Sequence, residues 1–336
     1  MTNRRRFVSI VAACAAATPF SSGSALAAAA PAVSVWKGTA MGALATMTLV
    51  HPDRAMAQAL IARCVVEIDR LESVFSLYRS DSALSRLNAA GQLLEPPHEL
   101  VELLSMALGL ARLSDGAFDP TVQPLYRLYA DHFASPGAAA AGPSPQALAA
   151  TLRSVDFSAV EMRADRIRLR RPAMAITLNG IAQGFVTDRV ADMLRTAGLE
   201  GVLVDLGEVR ALGHRPDGRP WRAAIGDPLH RDRTLFELPL GDRGGSLPAL
   251  ATSSGRGTSF GPDPRIHHLF DPRTGRSANY HASVSVAAPR AALADGLSTA
   301  LSVLDPARAG ALLAGYPSTR AWLVDANGRV DVLSGR

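Results

Sequence analysis

The chain has little cysteine and almost no lysine. Cys14 and Cys64 are its two cysteines among 336 residues, and Lys37 is its single lysine. Cys14 falls in a segment with the character of a removable leader, so the rest of the chain keeps one cysteine, and no intrachain disulfide is expected. Arginine carries nearly all of the basic charge, and no long basic run with interleaved aromatic residues occurs. Nucleic-acid binding is therefore not expected.

Long apolar runs and the commonest nucleotide-binding motifs are also missing. After the first thirty residues no stretch of 18 apolar residues occurs, so no membrane-spanning helix is expected there. No G-x-G-x-x-G follows a predicted strand and no G-x-x-x-x-G-K-[ST] is present, which excludes Rossmann and P-loop proteins. What the chain does have is 48% hydrophobic and 19% charged residues. This composition excludes general disorder and predicts a large core.

The first 27 residues resemble an export signal. Arg4–Arg6 precede an apolar stretch that runs from Phe7 to about Phe20, and Ala25-Leu26-Ala27 forms an A-x-A cleavage site. The paired arginines ahead of the apolar stretch indicate the twin-arginine route, with an ordinary secretory leader as the alternative. We therefore predict that residues 1–27 are removed and that the protein is periplasmic.

Two consequences follow from the predicted leader. Val11-Ala12-Ala13-Cys14 also resembles a lipoprotein box, but the apolar run before Cys14 is short, so lipid anchoring at Cys14 ranks second. Removal of the leader takes away three arginines and lowers the formal charge from +5 to +2. The remainder, residues 28–336, is predicted to form one continuous catalytic unit. A stretch rich in proline, alanine and glycine at 135–145 is predicted to be a loop or insertion.

Hydrophobic periodicity in the remainder predicts an α+β fold. Apolar residues recur at three-to-four spacing in some segments and form short β-type runs in others. The predicted helices cover 55–73, 97–114, 183–197 and 291–304. The predicted strands are a pair within 36–50 broken at Met41-Gly42, a hairpin of 167–169 with 175–178, and single strands at 202–206, 223–225, 235–238, 283–287 and 321–324. Because these strands are clustered with helices beside them, a regular βαβ winding is not expected.

Two polar, glycine-containing segments suggest binding of a planar ring and of phosphate. In the segment 114–121 a helix stops at Gly116, and Phe118 stands close behind, ready to contact a planar ring; D-G and D-P are also ordinary turn dipeptides. In the segment 178–188, Gly180 and Gly184 bracket a helix start whose N–H groups suit a pyrophosphate. A helix start merely lined with glycine is the alternative.

Two further segments suggest proton transfer and cation binding. Thr252-Ser253-Ser254-Gly255 and the later H-H-L-F-D-P-R-T-G at 267–275 bring together hydroxyls, imidazoles, a carboxylate and Arg273, which can bind phosphate and move a proton. Zinc is less convincing because adjacent histidines on a strand point in opposite directions. Asp295 and Thr299 are four residues apart on one helix face and form half of a site suited to Mg²⁺, although an aspartate there is also an ordinary helix cap.

In this order, the four segments resemble the ApbE-type FAD:protein FMN transferases. The resemblance rests on D-G-A-F-D-P-T from Asp115, H-H-x-x-D-P-x-T-G from His267 and A-D-x-x-x-T from Ala294, together with Met41-Gly42 and F-S-L-Y-R-S-D-S from Phe75. It covers nearly all of the chain after the leader. It implies an α+β fold with mixed or antiparallel sheets flanked by helices, and an FAD site in a cleft between two lobes.

The resemblance also implies a role for individual residues. The implied FAD-contacting residues are Met41, Tyr78, Ala117, Phe118, Asp119, Asn179 and Phe185. The implied Mg²⁺ ligands are the carbonyl of Ala182 and the side chains of Asp295 and Thr299. The implied catalytic residues beside the diphosphate are His268, as the group that transfers a proton, and Asp271.

The implied reaction is Mg²⁺-dependent cleavage of FAD, which releases AMP and attaches FMN by a phosphoester to a Ser or Thr of an acceptor flavoprotein. The leader favours the branch resembling accessory proteins of nitrous-oxide respiration, whose acceptor is a membrane electron-transfer protein. Gln183 stands where relatives often have lysine, and Glu208 stands where they usually have glycine. These departures keep one alternative open, an FAD-binding or flavin-carrier protein without turnover. A second alternative is a Mg²⁺-dependent FAD pyrophosphatase that needs no acceptor.

Overall fold

The structure is a computed structural model that describes residues 8–9, 32–230, 232–241 and 246–336. The strands are β1 (Val8–Ser9), β2 (Ala32–Ala40), β3 (Ala43–His51), β4 (Gln92–Leu94), β5 (Val160–Met162), β6 (Arg166–Leu169), β7 (Gly201–Asp205), β8 (Val209–Leu212), β9 (Trp221–Gly226), β10 (Thr234–Leu240), β11 (Ala249–Ser253), β12 (Ser283–Ala288), β13 (Arg320–Val324) and β14 (Val330–Ser334). The helices are α1 (Arg54–Phe75), α2 (Ala83–Ala90), α3 (His98–Leu113), α4 (Gln123–Ala134), α5 (Pro145–Leu152), α6 (Ala182–Thr196), α7 (Ala291–Val303) and α8 (Pro306–Ala314). Apart from β1, the predicted leader lies outside the described residues, so its removal stays a prediction.

Eight of the strands form one antiparallel sheet. Their order is β14-β13-β12-β11-β8-β7-β3-β2, and each neighbouring pair is antiparallel. Two three-stranded sheets, β1-β9-β10 and β4-β6-β5, are also antiparallel. The predicted α+β fold with antiparallel sheets and flanking helices is therefore confirmed.

Different elements cover the two faces of the large sheet. On one face, α1 packs against β2 and β3, α6 against β7 and β8, and α7 against β11 and β12, and the core there includes Met47 and Leu297. On the other face, Leu203 joins Trp221 and Ile225 of β9 in a second apolar cluster. Since successive side chains of a strand point to opposite faces, a strand covered on both sides is apolar throughout. This explains the continuous apolar run of β7.

A third apolar cluster lies beside the main core, and its residues form one wall of a cleft between the two. Leu125 and Tyr129 of α4 pack with Leu148 of α5 and with Phe270. A loop joins α4 to α5, and Gly137 and Gly142 lie at positive φ within it.

One predicted hairpin is wrong. Residues 167–169 do form part of β6, but β6 pairs with β5 and β4, and residues 175–178 form no strand. Instead, the side chain of Asn88 makes two hydrogen bonds to the backbone of Ile176. It accepts from the Ile176 N–H at 2.6 Å and donates to the Ile176 carbonyl at 2.8 Å. The N–H of Thr177 donates to the carbonyl of Pro120 at 2.7 Å. The segment is extended because side-chain and loop contacts replace a partner strand.

The helices predicted at 55–73, 97–114, 183–197 and 291–304 are confirmed as α1, α3, α6 and α7. The strand pair within 36–50 is confirmed as β2 and β3, which turn at Met41-Gly42. Within the described residues, no helix combines the length and the apolar character that crossing a bilayer requires.

Candidate active site

A cavity of about 690 Å³ occupies the cleft. A volume of this size suits a dinucleotide-sized ligand. Nine of the twelve residues implicated from the sequence line it: Met41, Tyr78, Ala117, Phe118, Asp119, Asn179, His268, Asp295 and Thr299. These residues come from six separate segments of the chain, so the fold brings together most of what the motifs suggested.

The loop after α3 supplies one wall of the cavity and is fixed from within. Asp115 and Gly116 adopt left-handed backbone with φ of 52° and 73°, which reverses the chain at the end of the helix. The hydroxyl of Ser114 accepts from the N–H of Phe118 at 3.0 Å. Phe118 is thereby buried at the cavity wall, where its ring can pack on a planar ligand.

Asp119 is the buried carboxylate of this loop. One of its oxygens accepts from the N–H and the hydroxyl of Thr121 at 2.7 and 2.6 Å, and the other accepts from the N–H of Phe157 at 3.2 Å. Burial raises the pKa of Asp119 to about 6, although these hydrogen bonds oppose the shift. Asp119 therefore joins the loop to the 3₁₀ turn that begins at Phe157.

The turn between β2 and β3 lines the same cavity. Met41 has φ of 49° and Gly42 has φ of 74°, as expected for the two central residues of a tight hairpin. The N–H of Met41 donates to Oε1 of Glu72 on α1 at 2.5 Å. Nearby, Tyr78 is 74% exposed and marks the mouth.

The buried end of the cavity lies where α6 meets α7. Asp295 is 4% exposed, and its Oδ2 accepts from the N–H of Gly184 at 3.0 Å. The hydroxyl of Thr299 donates to the carbonyl of Gly180 at 3.4 Å and lies 3.2 Å from that of Ser253. A Cβ on Gly180 would lie 2.9 Å from the Thr299 hydroxyl oxygen, so any larger residue at position 180 would displace this oxygen.

The donors at this end fit a hard cation. The carboxylate of Asp295 and the hydroxyl of Thr299 line the cavity, and Ala182, whose carbonyl is the third implied ligand, is the first residue of α6. Mg²⁺ prefers oxygen ligands and commonly keeps waters and phosphate oxygens for the rest of its shell. In the described ranges no three His, Cys, Asp or Glu residues cluster as metal ligands. The donor set thus suits Mg²⁺ that completes its shell with waters or with phosphate oxygens.

The two adjacent histidines lie in different environments. His267 is buried, and burial lowers its pKa to about 4; a Cβ on Gly255 would lie 2.4 Å from its ring. His268 instead lines the cavity, with Nδ1 3.2 Å from the carbonyl of Thr258. When Nδ1 carries the proton and donates it to that carbonyl, Nε2 becomes the basic atom. Of the two histidines, only His268 therefore reaches the cavity.

Three of the implicated residues do not line the cavity. Phe185 is buried in the core, edge-on to Phe75 at 5.6 Å between ring centroids. Asp271 accepts from Nε and Nη2 of Arg273 at 2.8 and 2.9 Å and holds the turn behind Phe270, which does line the cavity. Ala182 contributes no side chain to the wall.

Several lining residues were not singled out by the sequence analysis. Tyr126 and Gln123 come from α4, a helix that the periodicity does not predict.

The two residues that depart from the family pattern, Gln183 and Glu208, line the same cavity. Gln183 is buried beside Gly207, and a Cβ added to Gly207 would lie 2.3 Å from Nε2 of Gln183. Oε2 of Glu208 accepts from the N–H of Thr252 at 3.3 Å. The chain therefore places a carboxamide and a carboxylate among the residues that line this wall.

The cavity thus combines an aromatic side chain at its wall, one imidazole, and oxygen donors at its buried end. This is the kind of site that suits a nucleotide, a ligand with both a planar ring and phosphate. Comparison with known proteins identifies the family. The family model described as "ApbE family" matches residues 41–323. The chain belongs to the ApbE family.

Curated relatives and solved structures agree with this assignment. The FAD:protein FMN transferase of Treponema pallidum is 34% identical over 288 residues, covering 80% of this chain and 77% of the relative. That of Vibrio cholerae is 34% identical over 252 residues, covering 72% and 73%. The solved flavin transferase ApbE from Vibrio cholerae superposes with a TM-score of 0.76 at 28% identity, covering 90% of this chain and 98% of that one. The apo flavinyl transferase ApbE of Pseudomonas stutzeri gives a TM-score of 0.75 at 29% identity, covering 90% and 96%.

Proposed function

We propose that this protein is an FAD:protein FMN transferase. The observation that carries the proposal is the meeting of three groups in one cavity of about 690 Å³: the loop with Phe118, the imidazole of His268, and the oxygens of Asp295 and Thr299. Membership of the ApbE family and the curated names of the relatives support it. FAD is the substrate, FMN is the group transferred, and AMP is the product released.

The residues at the buried end would hold the cation and the diphosphate. Asp295, Thr299 and the carbonyl of Ala182 would ligate Mg²⁺. The ion, when bound, supplies positive charge to phosphate oxygens and so stabilises charge that develops in the transition state. The N-terminus of α6 is directed at the same place, and its N–H groups favour an anion. Phe118 and Met41 would pack on the flavin ring and fix its distance from this end.

His268 is placed to remove a proton from the attacking hydroxyl. In the proposed step, the acceptor oxygen forms a bond to the phosphorus of the FMN half, and the bond from that phosphorus to the bridging oxygen breaks. The proton of the hydroxyl goes to Nε2 of His268, and the bridging oxygen leaves with AMP. The acceptor supplies the nucleophile, so no nucleophilic residue of this chain is needed.

The acceptor and the compartment are part of the proposal. The acceptor would be a flavoprotein domain whose Ser or Thr flavinylation site enters the cleft past Tyr78, and a membrane electron-transfer protein fits the predicted export route. The A-x-A site and the paired arginines in residues 1–27 support export by the twin-arginine route to the periplasm. The exported protein would meet its acceptor there.

The test uses the purified protein with FAD, Mg²⁺ and an acceptor domain that carries a Ser/Thr flavinylation motif. We expect flavin fluorescence to co-migrate with the denatured acceptor and one AMP to appear per label. An acceptor with its Ser or Thr replaced by alanine is the matched control, and we expect no label on it. Release of FMN and AMP without an acceptor would indicate a pyrophosphatase, and tight FAD binding without products would indicate a carrier. Either result contradicts the proposal.

A further inference from the structure

Helices α6 and α7 exchange caps. The N-cap residues Ile181 of α6 and Arg290 of α7 make no side-chain capping bond of their own. Asp295 of α7 instead accepts from the N–H of Gly184 in the first turn of α6. Asp188 of α6 accepts from the first two N–H groups of α7, those of residues 291 and 292, at 3.0 Å each. Each helix therefore begins on a carboxylate that its antiparallel neighbour supplies.

Asp188 is held on both oxygens and is 1% exposed. Nη1 of Arg210, itself 4% exposed, lies 2.7 Å from Oδ1, and Nε of Arg290 lies 3.3 Å from Oδ2. Asp192, one turn further along α6, contacts the same two arginines at 3.1 and 2.8 Å. Of these two carboxylates, only Asp188 accepts hydrogen bonds from the backbone of α7. The arginines hold the Asp188 carboxylate in place, and the carboxylate in turn holds the first turn of α7.

The two helices are too close to slide. A Cβ on Gly184 would lie 2.3 Å from the carbonyl oxygen of Ala291, so the backbones are in contact where the caps cross. Asp295 and Thr299 lie about one and two turns beyond Ala291 on the same helix. The position of the α7 start relative to α6 therefore fixes where both oxygens stand opposite the first turn of α6.

We propose that Asp188 is the positioning residue of the cation end of the active site. It does not touch the substrate or the cation. By capping α7 from α6, it sets the register that brings the carboxylate of Asp295 and the hydroxyl of Thr299 to the carbonyl of Ala182. This inference rests on the proposed function, because the cation site is the one that the reaction requires.

The test measures binding of Mn²⁺, as a spin-active substitute for Mg²⁺, to the full-length protein without FAD or acceptor. Free Mn²⁺ is followed by electron paramagnetic resonance. We expect Asp188→Asn to weaken Mn²⁺ binding by roughly 10- to 100-fold, the usual loss when a group that orients metal ligands is changed. Asp192→Asn is the matched control, because Asp192 contacts the same two arginines but accepts no hydrogen bond from the backbone of α7. We expect it to stay within about threefold of the wild type.

The outcomes separate this inference from the proposed function. If Asp295→Ala leaves Mn²⁺ binding intact, the cation site itself is wrong. If Asp295→Ala abolishes binding while Asp188→Asn and Asp192→Asn behave alike, only the positioning role is wrong. Should Asp188→Asn fail to fold, Asp188→Glu keeps the charge beside Arg210 while its longer side chain displaces α7. An unchanged Mn²⁺ affinity in that variant contradicts the proposal, and a loss of about tenfold or more supports it.

Discussion

The two ends of the cavity are built in opposite ways. At the buried end, Asp295 is 4% exposed and bonded to the backbone of α6, and Thr299 packs closely against Gly180 and donates to its carbonyl. At the mouth, Tyr78 is 74% exposed, and it lies between α1 and α2 rather than within an element. The same ligand would thus meet fixed polar groups at one end and an exposed aromatic ring at the other.

This difference assigns separate tasks to the two ends. Groups that stabilise developing charge act best when they are held in place away from water, because no reorganisation is needed at the moment of reaction. Groups that only hold a substrate contribute equally before and during the reaction, and they change KM more than kcat. We therefore expect changes at the buried end to affect kcat and changes at the mouth to affect KM.

The largest effect is expected from Asp295→Ala. The variant loses the implied cation ligand together with the cap on α6, and we expect kcat for acceptor labelling to fall by more than about 10³-fold. Single-turnover labelling measures the change. Asp305→Ala is the control, because Asp305 caps α8 and lies outside the cavity. Loss of activity in both variants to the same degree would show that capping alone matters.

A smaller loss is expected from His268→Gln. Without the imidazole at the cavity, proton removal from the acceptor hydroxyl would slow by roughly 10²- to 10³-fold. The pH–rate profile should also lose its acidic limb, since that limb reports protonation of the base. His98→Gln serves as the control, because His98 is exposed on α3. A profile that keeps its shape in the His268 variant would exclude it as the base.

Tyr78→Ala tests the mouth. Removal of the exposed ring should raise KM for FAD by roughly 3- to 10-fold, the usual value of one aromatic contact, and leave kcat within about twofold. Steady-state labelling at varied FAD gives both constants. Tyr280→Ala removes another exposed tyrosine that does not line the cavity, and it should change neither. A fall in kcat for Tyr78→Ala would show that the mouth also acts in the chemical step and not only in holding FAD.

The smallest effects concern pH and two buried groups. His267, with its pKa lowered from 6.5 to about 4, stays neutral in the folded protein while the unfolded chain takes up a proton. Its contribution therefore makes the free energy of unfolding fall between about pH 6.5 and 4, by on the order of 2–3 kcal/mol. Asp119, with its pKa raised from 3.8 to about 6, takes up its proton first in the folded state and opposes this loss as the pH falls from about 6.

Two measurements check these opposing contributions. We expect the imidazole NMR signal of His267 to stay unshifted from pH 8 to about 5, the range above its lowered pKa. We also expect Asp119→Asn to make the acid-side fall in stability steeper, because the opposing contribution is gone. If the variant and the wild type lose stability in parallel below pH 6, the raised pKa of Asp119 is wrong.

The sequence predicts those elements that interactions between residues close in the chain determine. The four long amphipathic helices and the turn at Met41-Gly42 follow from periodicity and turn chemistry, which act over a few residues. The segment 175–178 resembles a strand in sequence because its apolar residues are buried, but its backbone partners come from the distant Asn88 and Pro120. Periodicity does not predict helix α4, nor therefore the contribution of Tyr126 to the cavity wall.

The site could be predicted as a set of motifs but not as an arrangement. Asp295 and Thr299 at i and i+4 predicted a shared helix face, and the histidine pair predicted side chains of opposite direction. Nothing local distinguished His268 at the cavity from His267 in the core, since that depends on the space beside Gly255. The exchange of caps between Asp188 and Asp295 joins residues more than a hundred positions apart, and only the folded chain brings them together.

The most direct test of FMN transfer is the intact mass of the acceptor after incubation with this protein, FAD and Mg²⁺. We expect an increase equal to one FMN joined with loss of water, located by fragmentation on the Ser or Thr of the flavinylation motif. We also expect no increase when Asp295→Ala replaces the wild type. An acceptor of unchanged mass, while FAD is bound or hydrolysed, would contradict FMN transfer by this protein.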